Sequence, residues 1–143
     1  MARVLVVEDH ADSREAISEM LKRSNFEVDS ASNGRDALAF VIDRTPDVLL
    51  LDLAMPEMDG VKVIQVIRSY HRLAGIPVVI LTGLSTGSLV DDAKALNVSS
   101  LLLKPMASFE QIRDAIERAI SMPPSGARMQ RLEKWRGDSI SPL

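Results

Sequence analysis

Short runs of consecutive aliphatic residues alternate along the chain with longer segments in which apolar residues recur every three or four positions. The aliphatic runs predict five strands, at residues 4–7, 26–30, 48–51, 78–81 and 101–103. The segments between and after them predict five helices, with apolar pairs at 17 and 21, 37 and 41, 63 and 67, 89 and 93, and 112 and 116. Strands that are apolar throughout are typical of a parallel sheet with helices on both faces, and so of an α/β fold.

Three of the predicted helices are preceded by a residue type that is favoured at a helix N-cap. Asp12 or Ser13 is expected to begin the first helix, Asn33 the second and Ser108 the last. These residues accept a hydrogen bond from a free backbone N–H of the first helical turn, which is why they mark helix starts. The apolar residues that recur at helical spacing in each predicted helix form the face that packs on the sheet.

The length of 143 residues fits one domain, predicted at residues 1–121, followed by a short tail at 122–143 with no output domain. The tail holds four Lys or Arg, two Asp or Glu, and the single tryptophan, Trp135. Two interpretations of the tail are open: a loosely docked terminus, or a short helix that packs on the domain or on a partner.

Composition excludes several classes of protein. The chain has no cysteine, which excludes disulfides and thiolate metal sites. It lacks an apolar stretch near the roughly 20 residues that a membrane-spanning helix needs, and its first residues do not predict a signal peptide. The formal net charge of −3 offers no general footprint for nucleic acid. A hydrophobic content of 46% is sufficient for a buried core in a soluble domain.

Chemically active side chains follow the predicted strands. Glu8 and Asp9 come after the first strand, Asp52 after the third, Thr82 after the fourth and Lys104 after the fifth. Each alone is an ordinary cap, turn or surface residue. In doubly wound sheets, however, ligands bind beyond the carboxyl ends of the strands, so these side chains are expected to converge. Three crowded carboxylates are costly unless a cation neutralises them.

The predicted cation is hard and prefers oxygen ligands. There is no cysteine, and neither His10 nor His71 has a second histidine nearby in the sequence, which favours Mg²⁺, or Mn²⁺ as a substitute. Mg²⁺ held by one or two carboxylates typically also binds a phosphate. Lys104 would add a positive charge and Thr82 a hydroxyl donor for that phosphate. Asp52 is then expected to act as the nucleophile and form an aspartyl phosphate.

These motifs resemble the receiver domain of two-component response regulators. The resemblance covers residues 3–121 and rests on four blocks: Glu8-Asp9, the segment from Asp52 to Gly60, Thr82-Gly83 and Lys104-Pro105. It implies a flavodoxin-like (CheY-like) fold with five parallel strands in the order 2-1-3-4-5 and five helices. It also implies that Asp52 accepts a phosphoryl group from a histidine kinase or a histidine phosphotransfer protein.

The resemblance further implies a role for each site residue. Mg²⁺ would be held by Asp9, Asp52, the backbone carbonyl of Ala54 and, mainly through water, Glu8. Thr82 would turn toward the phosphate, Lys104 would pair with it, and the Lys104–Pro105 bond would be cis. Such a protein signals from the cytoplasm by docking to another protein, as a monomer or weak dimer. It binds neither nucleic acid nor membrane directly, and it is not an enzyme beyond its own phosphorylation and hydrolysis.

One position departs from the family pattern. Receivers of this type usually carry tyrosine or phenylalanine three residues before the lysine, and here that residue is Leu101. We expect Leu101 to fill the core, and the switch to work through displacement of the loop at 83–87 and the adjacent helix.

Ala54 and Leu84, two residues beyond Asp52 and Thr82, offer no group that would orient an attacking water. Slow hydrolysis of the phosphoryl group is therefore expected.

Two other functional classes compete with the phosphorylated receiver. One is a constitutive interaction module that keeps the fold without phosphorylation, and Leu101 is the feature that favours it. The other is a phosphatase with an aspartyl intermediate. Such enzymes generally place the nucleophile after the first strand with a second Asp two residues later, whereas this chain has Glu8-Asp9-His10-Ala11 there. A flavodoxin is excluded because no phosphate loop rich in Ser, Thr or Gly follows the first strand.

Overall fold

The computed structural model describes residues 1–122 as five strands alternating with five helices. The strands are β1 (Arg3–Val7), β2 (Glu27–Ala31), β3 (Val48–Leu51), β4 (Val78–Thr82) and β5 (Ser100–Leu103). The helices are α1 (Ala11–Arg23), α2 (Gly34–Asp43), α3 (Gly60–Ser69), α4 (Ser88–Lys94) and α5 (Phe109–Ser121). The predicted tail, including Trp135, lies outside the described residues apart from Met122.

All neighbouring strands are parallel, and their order across the sheet is β2-β1-β3-β4-β5. This confirms the predicted α/β fold with strand order 2-1-3-4-5. The residues of β3 and β4 are buried on both faces, which explains why these strands are aliphatic without alternation. The second strand lies one residue later than predicted, since Phe26 packs in the core just before the strand begins.

Two apolar clusters cover the two faces of the sheet. One joins the sheet to α2, α3 and α4 and includes Leu49, Leu51, Ile64 and Ile67. The other joins it to α1 and α5 and includes Leu50 and further residues of those helices. Because successive strand residues point to opposite faces, Leu50 and Leu51 serve different clusters. Both faces of the central strands are thus held rigidly, which fixes the positions at which the strands end.

The helix starts agree with prediction in two cases out of three. Asn33 caps α2, and Ser108 caps α5 through a reciprocal capping box with Gln111. The predicted start at Asp12 or Ser13 is wrong, because α1 begins at Ala11 and its N-cap residue is His10. The backbone N–H of His10 donates to the Glu8 carboxylate at 3.1 Å, so the chain turns into the helix immediately after the strand.

The two outer edges of the sheet differ in charge. The β2 edge carries ion pairs from Glu27 to Arg3 at 3.4 Å and to Arg44 at 3.6 Å. Arg44 also lies 3.8 Å from Asp29 of the same strand. The β5 edge, Ser100–Leu103, has no charged residue. Charges on an outer strand discourage pairing with another chain, so only the β2 edge has this protection.

Candidate functional site

Strand register brings four predicted site residues to one edge of the sheet. Val7 of β1 pairs with Leu51 of β3, so Glu8 and Asp52 follow at the same level. Thr82 is the last residue of β4 and pairs with Leu103 of β5, so Lys104 follows beside it. The backbone continues this alignment past the strands, because the Asp52 N–H donates to the Val7 carbonyl at 3.1 Å. The Lys104 N–H likewise donates to the Thr82 carbonyl at 2.8 Å.

The ammonium group of Lys104 joins two buried carboxylates. It donates a short hydrogen bond to Oε1 of Glu8 and lies 3.3 Å from Oδ2 of Asp52. The Glu8 and Asp52 side chains are only 3% and 8% exposed, so water contributes little to their solvation. Lys104 is 25% exposed and contacts both carboxylates. Side chains that follow three different strands therefore meet, as the sequence predicts.

The contacts between these groups set their ionisation. Burial raises the pKa of the Glu8 carboxyl, but the hydrogen bonds from Lys104 and from the His10 N–H outweigh burial and hold the pKa below its ordinary value. Burial lowers the pKa of Lys104, whereas the hydrogen bond to Glu8 and the charge of Asp52 raise it, with a net increase. Both groups therefore remain ionised across the neutral range.

Asp52 and Thr82 are also held by backbone amides of the loops that follow them. The Ala54 N–H approaches Oδ1 of Asp52 at 3.4 Å, and the Leu84 N–H approaches Oγ1 of Thr82 at 3.3 Å. Thr82 is completely buried. Because the side chain is buried, the predicted donation from its hydroxyl to a phosphate requires Thr82 or the loop after it to move.

The acidic pocket at the end of β1 has a donor set that fits a divalent cation. Ligand atoms of Glu8, Asp9 and His10 all lie within 4.8 Å of one another. Oδ1 of Asp9 is buried but accepts no hydrogen bond, although a buried acceptor without a partner costs about 1–3 kcal/mol. A cation would satisfy this oxygen. Asp52 is not a member of this group, so its predicted place in the ligand set stays a prediction.

Two arginines make contacts that the sequence does not indicate: Arg14 lies beside the site, and Arg68 lies in the last turn of α3, near the amino end of β4. Nη1 of Arg14 donates to the Glu8 carbonyl at 2.9 Å. Arg68 donates to four carbonyls, among them those of Ile76 at 2.7 Å, ahead of β4, and Leu96 at 3.1 Å, just after α4. Burial lowers the pKa of Arg68. Neither contact has a sequence signal, because a lone arginine on a helix is ordinarily solvated.

The structure agrees with the expected packing of Leu101 and with the expected cis form of the Lys104–Pro105 bond. Leu101 is half-buried and packs against the cluster on the α4 side of the sheet. The Lys104–Pro105 peptide bond is cis, as predicted. The loop after Thr82 has an exposed Gly83 and a Gly87 with a φ of 115°, a conformation that disfavours other residues. This loop connects the site directly to α4.

Comparison with known proteins decides the family. A family model for the response regulator receiver domain matches residues 4–117. This chain belongs to the receiver domain family. The receiver fold is a signalling domain, and receivers in general bind Mg²⁺ in an acidic pocket and interact with histidine kinases or phosphotransfer proteins. Within residues 1–122, this receiver has no helix long and apolar enough to cross a bilayer.

Individual relatives agree with this assignment. The crystal structure of the chemotaxis protein CheY4 of Vibrio cholerae matches with a TM-score of 0.76 at 30% identity, covering 82% of this receiver and 98% of that chain. The sporulation initiation phosphotransferase F of Bacillus subtilis is 27% identical over 84% of this receiver and 94% of its own length. Both proteins are therefore similar to this receiver over nearly their whole length.

Other relatives are longer. The protein-glutamate methylesterase/protein-glutamine glutaminase of Archaeoglobus fulgidus is 32% identical over 96% of this receiver but only 42% of its own length. This receiver likewise spans 25% and 58% of two regulatory proteins, AtoC of Escherichia coli and GltR of Pseudomonas aeruginosa. The methylesterase relative therefore gives this chain no enzyme role.

Proposed function

We propose that this receiver accepts a phosphoryl group on Asp52 from a histidine kinase or a histidine phosphotransfer protein, and that the modification switches its docking to another protein. The observation that carries the proposal is the contact of Lys104 with Asp52 at the mouth of a rigid, buried strand. Residues 1–121 are the receiver domain in this proposal, and it acts in the cytoplasm.

The proposed transfer needs little rearrangement of Asp52. A carboxylate oxygen attacks phosphorus while the bond from phosphorus to the donor imidazole breaks, and the imidazole leaves with its electron pair. Asp52 is held for attack by the Ala54 N–H and by Lys104. Because Lys104 is already within 3.3 Å of the nucleophile, it lies where the negative charge of the transferred group accumulates.

A divalent cation would supply further charge neutralisation in the acidic pocket. Asp9, Asp52 and the Ala54 carbonyl would hold it, with Glu8 acting mainly through water. The unpartnered, buried Oδ1 of Asp9 supports a cation in this pocket. Glu8 is already paired with Lys104, which favours an indirect role for it.

The proposed switch acts through the loop after Thr82. For the Thr82 hydroxyl to donate to a phosphoryl oxygen, the buried side chain would have to turn, which would disturb the contact of the Leu84 N–H with Oγ1 and displace the loop that leads into α4. The docking surface is then formed by α4, β5 and α5. A groove of about 450 Å³ runs along β5 and α5, beside Met106, which is 80% exposed.

Labelling of purified protein with acetyl phosphate or phosphoramidate in Mg²⁺ tests the assignment of Asp52. We expect the intact mass to increase by one phosphoryl group, and Asp52→Asn to remove this increase completely. Asp59→Asn is the matched control, because Asp59 caps α3 and asparagine caps a helix equally well. Undiminished labelling of Asp52→Asn, or an unlabelled parent protein, would contradict the assignment.

The phosphoryl group is expected to hydrolyse slowly. Ala54 is exposed two residues beyond Asp52, and neither it nor Leu84 bears a group that orients an attacking water. Ala54→Asn should shorten the half-life several-fold by adding a carboxamide that holds this water. The half-life is measured from the decay of the labelled mass after removal of the phosphodonor. A parent half-life of seconds would contradict this expectation.

A constitutive interaction module is the competing function, and Leu101 is the observation that favours it. Leu101 has no ring to rotate, and it packs against the core in this structure. Binding of beryllofluoride, a phosphoryl mimic, separates the two functions once a docking partner has been isolated. A change in partner affinity supports the switched receiver, and equal affinity with and without beryllofluoride supports the constitutive module.

A further inference from the structure

The imidazole of His10 lies at the mouth of the acidic pocket. Its Nδ1 is 3.3 Å from Oε2 of Glu8 and 3.5 Å from Oδ1 of Asp9. Ligands of one octahedral ion at about 2.1 Å are roughly 3 Å apart when adjacent and about 4.2 Å apart when opposite. The 3.5 Å between Nδ1 and Oδ1 of Asp9 is therefore compatible with two adjacent ligands of one ion, and Glu8 would face the same ion through water.

The side chain of His10 contacts the Glu8 carboxylate but does not cap the helix that it precedes. His10 is the N-cap residue of α1, yet its side chain makes no capping hydrogen bond. Serine, threonine, aspartate or asparagine at this position would accept a hydrogen bond from the first helical turn, whereas the His10 side chain makes no such bond. The backbone of His10 is fixed by its N–H bond to Glu8 and by its carbonyl, which accepts from the Arg14 N–H at 2.9 Å. The ring is 76% exposed, and its Nδ1 is held at the pocket by the 3.3 Å contact with Oε2 of Glu8.

The ligand chemistry of this pocket consequently differs from that of an all-oxygen site. Mg²⁺ binds imidazole poorly, whereas the affinity of divalent transition-metal ions for such a ligand rises from Mn²⁺ through Co²⁺ to Ni²⁺, and Zn²⁺ also binds it well. Oδ1 of Asp9, buried and without a hydrogen bond, is the oxygen that such an ion would share with the ring. We infer that His10 is a direct ligand to the cation in this pocket and shifts its preference from Mg²⁺ toward borderline transition-metal ions. The inference rests on the proposed cation site but not on phosphotransfer.

Calorimetric titration of the full, untagged chain with Mg²⁺ and with Ni²⁺ tests this ligand. We expect His10→Ala to weaken Ni²⁺ binding at least about tenfold while Mg²⁺ binding changes by less than about twofold. His10→Asn, which restores a favoured N-cap, should show the same selective loss and so exclude an effect of helix fraying. His71→Ala is the matched control, since His71 is the other histidine, is exposed and lies outside the acidic cluster.

A spectroscopic measurement reports the bond itself. In the Co²⁺-loaded protein, a hyperfine-shifted imidazole N–H resonance is expected in the parent and in His71→Ala, and it should be missing from His10→Ala. Unchanged Ni²⁺ affinity in His10→Ala, an equal loss for Ni²⁺ and Mg²⁺, or the absence of the resonance from the parent would overturn the inference. Phosphoryl labelling in Mg²⁺ is measured in parallel, because its retention shows that failure here leaves the proposed function of Asp52 intact.

Discussion

Replacing Lys104 with methionine is expected to lower the free energy of unfolding by about 2 kcal/mol at pH 7 in EDTA, less than for a fully buried pair because Lys104 is partly exposed. Methionine keeps most of the side-chain volume and removes the charge. Glu8 and Asp52 would then face each other in a buried setting without the cation that now joins them. Urea denaturation of both proteins measures the difference.

The pH dependence of this loss identifies its cause. In the parent, the lowered pKa of Glu8 contributes stability that is present above its ordinary value of 4.5 and is lost as the pH falls through the folded pKa. The raised pKa of Lys104 contributes stability that is present below 10.5 and is lost as the pH rises through the folded pKa. Without Lys104, burial and Asp52 should raise the pKa of Glu8, so the deficit of the variant should shrink as the pH falls from 7 toward 5.

Lys94→Met provides the control for loss of a lysine charge. Lys94 is an exposed residue in the last turn of α4, and its replacement should change stability by no more than about 0.5 kcal/mol. A Lys104→Met variant as stable as Lys94→Met would mean that the bridge to Glu8 and Asp52 contributes little. A deficit that stays constant from pH 7 to 5 would mean that the loss is one of packing and not of charge.

Gly60→Ala is expected to destabilise the protein by about 3 kcal/mol, at the upper end of the usual cost of overpacking. A Cβ at Gly60, the first residue of α3, would lie 2.4 Å from the carbonyl oxygen of Asp52 and 2.9 Å from the Cα of Leu53. Both neighbours are backbone atoms, so no side-chain rotation relieves the contact. The helix must move away from the end of β3, which also strains the 2.9 Å hydrogen bond from the Gly60 N–H to the Leu53 carbonyl.

Gly83→Ala is the matched comparison for this effect. A Cβ at Gly83 would have no heavy atom within 4 Å, so we expect a change within about 0.5 kcal/mol. Denaturation midpoints of the two variants measured side by side give the difference directly. Equal midpoints would show that α3 adjusts to the methyl group without cost, and that close packing of Gly60 on Asp52 does not hold the site together.

Much of the fold was predictable because the strongest local signals agree with the tertiary structure. The β3 and β4 runs are aliphatic without interruption since both faces of these strands are covered, and this burial pattern distinguishes a parallel sheet from an antiparallel one. Asn33 and Ser108 use their own side chains to cap helices, so residue type alone identifies them. The α1 start failed for the opposite reason, since His10 enters the helix through a backbone bond to Glu8.

The site was predictable as a set of residues but less so as a set of contacts. The positions of Asp52 and Lys104 follow from a rule about where parallel strands end. The rule does not determine which side chains pair, and the bond from Lys104 to Glu8 depends on rotamers and on the relative burial of two acids. The Asp59-Gly60 pair is a common turn signal, yet Asp59 caps α3 by accepting from the Lys62 N–H at 3.0 Å. A turn and a helix start share the same Asp-Gly signal.

The unequal edges of the sheet limit how copies of this chain could join. Growth of a continuous sheet through many molecules would need the β5 edge of one to pair with the β2 edge of the next. Glu27, Asp29 and Arg44 oppose this on the β2 side. If β5 of one copy pairs with β5 of a second copy about a two-fold axis, neither β5 edge remains available for pairing. The charged β2 edges are then the outer strands of the joined sheet. For residues 1–122, sheet-to-sheet association through these edges would therefore stop at two molecules and would not continue into filaments.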